Sequence, residues 1–299
     1  MRAWCLVCAA AMGCAQYGLV DDGTSVSFGR GNAGMLTRGV RLPPRGDGYW
    51  VPPRWVDRGA LYGTDEAVAL VVRVARRLRR EQPNGPPLGV ADLSPRGGGP
   101  SRFHRSHQSG RDIDLLFYLV DATGRPVRNG EMRPVDADGH TRDGLRFDTA
   151  RNWALVRALI DDPAADVQYI FVAEPLRLLL LDHARAAGEP PDRVARAAAL
   201  LRQPSDAAPH DDHFHVRIYC APSDRPLGCS DRGPLRWKKK LYKYELVAAE
   251  PAPAGAHGRA VRRPAAGAPV GFAFGRLTRA WSLAFPPPLP GPPRTSAAR

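Results

Sequence analysis

The 299-residue chain has no apolar run approaching the ~20 residues that a membrane-spanning helix needs, so helical spans are excluded. No internal repeat is visible, which sets aside solenoid and propeller architectures. Acidic residues are in short supply: 30 Asp and Glu face 43 Lys and Arg, leaving a net charge of +13. The deficit is partly local, because residues 251–299 hold seven Arg and no acid. Such a balance attracts polyanions, whether nucleic acid, anionic lipid or an acidic wall polymer, although a solvated basic surface is the plainer reading. Apart from Lys238, Lys239 and Lys240 the positive charge is scattered or sits in the tail. No nucleic-acid motif accompanies it, so nucleic acid is not an expected partner.

Cysteine is scarce and unevenly placed. Three of the five, Cys5, Cys8 and Cys14, lie in the opening MRAWCLVCAAAMGCAQ. One basic residue followed by a short apolar stretch ending in small residues has the form of a secretory leader over residues 1–21. AMGC before Gln16 is similar to a lipoprotein processing site, with Cys14 as the lipidated residue. Removing the leader leaves Cys220 and Cys229, which predicts a disulfide closing a small loop in an oxidising, periplasmic compartment.

Proline and glycine, by contrast, number 30 each, which predicts long loops and sparse regular structure. GRGNAG and RLPPRGDGYWVPPRW read as irregular chain. TDEAVALVVRVARRLRRE reads as a helix capped by Thr64, with acids in its first turn and bases at its end. FDTARNWALVRALIDD, PLRLLLLDHARAAG and PDRVARAAALLRQ read as three more helices. LGVADLS is a short strand, and DIDLLFYLV, VQYIFVA and HFHVRIYC are buried ones, the first leading into a hairpin at VDATGRPV. Strands and helices mix without regular alternation, so the class is α+β. The functional domain is expected over residues 22–247, followed by a flexible Pro-, Ala- and Arg-rich tail over residues 248–299.

Five of the eight histidines fall in two stretches a hundred residues apart, HRSHQSGRDID and HDDHFHVRI. Alternation along a strand puts His213, His215, Arg217 and Tyr219 on one face, with Phe214, Val216 and Ile218 turned to a core. In the earlier stretch His107 comes from a loop, Gly110 permits a turn, and Asp112 and Asp114 share a face of the following strand. A lone HxH is usually incidental, and so is a lone His–Asp spacing. Together they offer two imidazoles and a carboxylate, a set apt for zinc with a fourth position open to water. A nearby imidazole can then carry a proton from the water to a leaving amine. His183 and His257 read as surface residues. His140 reads as part of a polar loop, with an accessory ion shared with Asp138 as the alternative.

At these positions the chain resembles the penicillin-insensitive murein endopeptidases, members of the LAS group of zinc metallopeptidases. The group's pattern, HxxxxxxD followed downstream by HxH, falls on His107, Asp114, His213 and His215. The blocks GRGNAGMLTRGVRLP, ADLSPRGGG, HRSHQSGRDIDLLFY, FDTARNW and HDDHFHVRIYC extend the likeness over most of residues 29–229. The resemblance implies an LAS-type fold, a mainly antiparallel sheet with flanking helices and long loops. It implies Zn2+ held by His107, Asp114 and His215, with His104 a further ligand or a hydrogen-bond donor. His213 would be the general base and His210 would orient substrate or steady the tetrahedral intermediate. The implied reaction is hydrolysis of D-alanyl to meso-diaminopimelyl cross-links in peptidoglycan, insensitive to β-lactams. Cys220 and Cys229 match the family's disulfide after the HxH strand, while its other cysteine pairs have no counterpart here. The basic tail could hold an anionic wall or membrane.

Other readings are a D,D- or L,D-carboxypeptidase, or a non-catalytic zinc-containing wall-binding module. The presence of both His210 and His213 beside the proposed ligands speaks against the module.

Overall fold

A computed structural model describes residues 24–233. The leader, Cys14, Lys238 to Lys240 and the tail lie outside them. Helix α1 spans Pro53–Arg58, α2 Asp65–Glu81, α3 Thr149–Ile160, α4 Glu174–Ala186 and α5 Pro191–Leu200. The strands that matter for the site are β1 (Val26–Arg30), β2 (Ala33–Thr37), β3 (Asp112–Leu116), β4 (Val167–Phe171), β5 (Leu201–Arg202) and β6 (His213–Ile218). The other strands are two residues long. The class is mixed α and β as the sequence predicts, and no helix among the described residues is long and apolar enough to cross a membrane.

The capping signal at Thr64 acts as read. Thr64 Oγ1 accepts from Ala67 N–H at 3.2 Å, and α2 buries Ala67, Leu70, Val71, Val74, Ala75 and Leu78 along one stripe. Asp148 caps α3 by accepting from Arg151 N–H at 3.0 Å. The stripe of α2 and most of α3 pack into the common core with Ile113, Leu115, Phe214 and Val216.

The central sheet has the order β5-β4-β6-β3. β5 runs parallel to β4, while β4–β6 and β6–β3 are antiparallel. The β6–β3 register sets His215 opposite Asp114 and Arg217 opposite Asp112. On the other neighbour Phe171 stands opposite His215. One face of β6 therefore sends Phe214 edge-on against Phe117 in the core, at 4.8 Å between centroids. The opposite face carries the histidines.

Two segments expected to be irregular are ordered instead. β1 and β2 form an antiparallel hairpin turning at Gly31 and Asn32. The glycines that suggested loop are needed for closeness: Gly29 has φ +65°, and a Cβ there would lie 2.3 Å from the Ala33 carbonyl oxygen. The proline pair of VPPRW starts α1, with Pro53 in its first turn where no backbone N–H is missed. The Cys220–Cys229 disulfide is formed across 5.9 Å between Cα atoms. Its loop is stitched to β1 by Gly29 N–H donating to Gly228 O at 3.0 Å and Ser230 N–H donating to Gly29 O at 2.9 Å.

Candidate metal centre

The two histidine stretches meet. Asp114 projects from β3, and its Oδ1 lies 3.2 Å from His107 Nε2, 3.3 Å from His213 Nε2 and 3.4 Å from His215 Nδ1. A tetrahedral ion with bonds of ~2.0–2.1 Å has ligand-to-ligand edges of about 3.3–3.4 Å, which is this spacing. His107 reaches the site because Gly110 turns the chain at φ +76° and His107 itself sits at φ +62°, a conformation rarely adopted by a side-chain-bearing residue. Strain of this kind, at a fully buried histidine, marks a position held for its side chain.

Each imidazole is oriented through its other nitrogen. His107 Nδ1 lies 2.7 Å from Leu93 O, His213 Nδ1 lies 2.5 Å from Asp212 Oδ1, and His215 Nε2 lies 2.9 Å from Asp112 Oδ1. With the outward nitrogens engaged, His107 Nε2, His213 Nε2 and His215 Nδ1 are the ring atoms turned to the centre, the arrangement typical of metal-binding histidines. Asp112 was visible in the sequence only as a neighbour on the face of Asp114. Here it also accepts from Arg217 Nε at 2.6 Å and, through Oδ2, from the backbone N–H of His107 at 3.1 Å. Asp212 and Leu93 had no sequence signal beyond adjacency to a site residue or block.

His104 is tethered by Asp92, whose Oδ2 lies 2.8 Å from His104 Nε2 and also accepts from Arg58 Nη1 at 2.6 Å. His104 Nε2 stands 3.9 Å from Asp114 Oδ2. The His210 ring lies 5.5 Å from that of His213 and 5.7 Å from that of His215, centroid to centroid. His140 is exposed, its N–H bound to Asp136 Oδ1, and His183 is half-buried near the end of α4. Among the described residues the groups able to hold an ion are His210, His213 and His215, and His104, His107 and Asp114. Asp114 Oδ1 joins the two.

The site fits a cation on its own chemistry. Both oxygens of fully buried Asp114, His107 Nε2 and His210 Nδ1 are buried without a hydrogen-bond partner. An unsatisfied buried carboxylate is costly, and a divalent ion on those lone pairs removes the cost. The side chains of the site polarise one another. Burial pulls the His213 imidazole down, but Asp114 and Asp212 outweigh it and hold it up to about 10. Burial leads in lowering His215 and His210, each to about 4, Asp112 opposing it at His215 and the neighbouring imidazoles adding to it at His210. Burial alone would raise Asp114, yet His107 and His213 hold its carboxyl well below the usual range.

The model of the penicillin-insensitive murein endopeptidase family matches residues 27–239. The chain belongs to this family. A relative from Haemophilus influenzae with that name is 28% identical over 230 residues, covering 72% of this chain and 70% of the relative. One from Salmonella paratyphi C is 28% identical over 213 residues, covering 70% and 71%. The matched span contains the whole constellation, together with the Cys220–Cys229 loop and all of the hairpin β1–β2 but Val26.

Proposed function

We propose that the chain is an exported zinc-dependent endopeptidase of LAS-type fold that hydrolyses D-alanyl to meso-diaminopimelyl cross-links in peptidoglycan. The observation that carries the proposal is the meeting of Asp114 Oδ1 with three outward-tethered imidazoles, in a chain of the murein endopeptidase family. Three histidine nitrogens and a carboxylate suit zinc better than a hard, oxygen-seeking cation. His107, Asp114 and His215 would hold the ion, with His104 close enough to Asp114 to assist. A bound zinc supplies Lewis acidity, making a water nucleophilic near neutral pH and polarising the scissile carbonyl.

The remaining steps belong to the chain. His213 is the most exposed of the four converging side chains, at 14% against 0% for His107 and Asp114 and 7% for His215. Once a cation on Asp114 offsets the charge that otherwise keeps this imidazole protonated, its Nε2 on that open side would take the proton of the attacking water and deliver it to the leaving amine nitrogen, while Asp212 steadies the imidazolium through Nδ1. His210, beside it, orients the substrate amide. No serine nucleophile takes part, so β-lactams have nothing to acylate.

Purified sacculi and metal analysis test the reading. Cross-linked dimers should be cut to monomers, whereas release of terminal D-alanine alone would indicate a carboxypeptidase. His215→Ala should lose zinc and activity together, and His213→Ala should keep near-stoichiometric zinc while losing most turnover. Equal zinc loss in both would make His213 a fourth ligand and the site a closed, structural one.

A further inference from the structure

A cavity of about 310 Å³ opens beside the candidate metal centre, with His210 and His215 in its wall. Five arginines, Arg30, Arg105, Arg111, Arg217 and Arg232, line it against a single acid, Asp206. Arg111 is committed elsewhere, since its Nη1 donates to Asp231 Oδ1 at 3.0 Å and to Ile218 O at 3.2 Å. Arg217 gives only its Nε, to Asp112, and its two terminal nitrogens make no hydrogen bond among the described residues. They lie against the hairpin tip so closely that a Cβ on Gly31 would sit 2.4 Å from Nη2. The side chains of Arg30, Arg105 and Arg232 have no ion-pair partner among the described residues.

Several uncompensated guanidinium groups around a small cleft focus positive potential into it, and their fork geometry matches a carboxylate. The location narrows the choice of anion. On the endopeptidase reading, on which this inference rests, His213 delivers its proton to the leaving nitrogen, and its neighbours His210 and His215 stand in the cavity wall. A carboxylate on the carbon next to that nitrogen is the substrate anion closest to this wall. We propose that the cavity is the subsite for this free carboxylate, and that the chain selects cross-links whose amine-side residue is anionic. Arg217 then links recognition to the metal site, because the Asp112 oxygen that holds it also holds His215.

The test uses the full zinc-loaded chain and three synthetic cross-linked dimers. One carries free carboxylates, one is amidated only beside the scissile nitrogen, and one is amidated only at its terminal D-alanine. Loss of one charge-assisted contact predicts that kcat/KM for the second falls by about 10- to 100-fold, chiefly through KM, while the third is cut like the first. The double variant R30Q/R105Q should bring the acid-to-amide ratio towards one by raising KM for the acid. Equal kcat/KM for the first two dimers, an unchanged ratio in the variant, or a loss confined to the third dimer overturns the assignment. Calorimetric binding of the same dimers separates this inference from the reading beneath it. A chain that cuts none of them but binds acid over amide keeps the carboxylate site and sinks the endopeptidase. A chain that binds both equally overturns the carboxylate site, whatever it cuts.

Discussion

Replacing Asp112 by Asn should damage fold and metal site at once, because one buried carboxylate holds three parts of the site. It accepts from Arg217 Nε at 2.6 Å, from His215 Nε2 at 2.9 Å and from the His107 backbone at 3.1 Å. The Arg217 and His215 contacts share Oδ1 and the His107 N–H takes Oδ2, so an Asn amide turns its NH2 either on the His107 N–H or on both side chains, and in either orientation Arg217 loses the charge it pairs with. Stranding a buried cation typically costs ~3–5 kcal/mol. With 19% of the Arg217 side chain exposed, water recovers part of that, leaving about 2–4 kcal/mol. For a domain of this size that lowers Tm by roughly 5–15 °C. His215 also loses the partner that fixes its ring, and such losses typically weaken metal binding by about 10- to 100-fold. Thermal unfolding in a chelator isolates the first effect, and chelator competition for zinc reads the second. An Asp112→Asn chain that melts as the native one does and holds zinc equally tightly would refute the reasoning.

Glu66, in the first turn of α2, is pushed up to about 7, by burial first and by Asp65 next. The folded chain thus binds this proton more tightly than the unfolded one, so stability falls as pH rises from ~4.5 to ~7 and is level above. The full span is worth up to about 3 kcal/mol; Glu66→Gln should remove that slope from urea unfolding measured between pH 5 and 8, and an unaltered slope would contradict it. Reducing Cys220–Cys229 frees a loop of nine-residue separation, a loss of about 2.5 kcal/mol on the chain-entropy account. None of the proposed ligands lies in that loop, so zinc content should survive reduction while Tm drops. A fall in zinc stoichiometry would show that the loop supports the centre.

Where local pattern decides structure, the sequence was readable. The Thr64 cap, the apolar stripe of α2 and the alternation in HFHVRI each follow from interactions within a few residues, and each element forms as read. The hairpin β1–β2 and helix α1 were hidden for an equally local reason. Gly and Pro usually punctuate structure, and only a close backbone approach at Gly29, or a helix start at Pro53, turns them into parts of an element. The two-residue strands carry no periodicity at all, and their pairing is imposed by the tertiary fold.

The site divides along the same line. Alternation could say that His213 and His215 share a face of β6 and that Asp112 and Asp114 share a face of β3. Whether the faces coincide depends on a register between strands a hundred residues apart, which no local turn sets. The pairing of His215 with Asp114 supplies it, and the buried apolar residues on the reverse faces lock it: slipping β6 by one residue would turn Phe214, Val216 and Ile218 towards the cavity. The outward hydrogen bond of each imidazole lay further from view, because a tautomer is chosen by whatever acceptor the fold brings up, here a carbonyl from the ADLS block and carboxylates from two different segments. Those acceptors decide which lone pair faces the centre, so the histidines indicate that an ion could bind, and Asp112, Asp212 and Leu93 determine how it would be held.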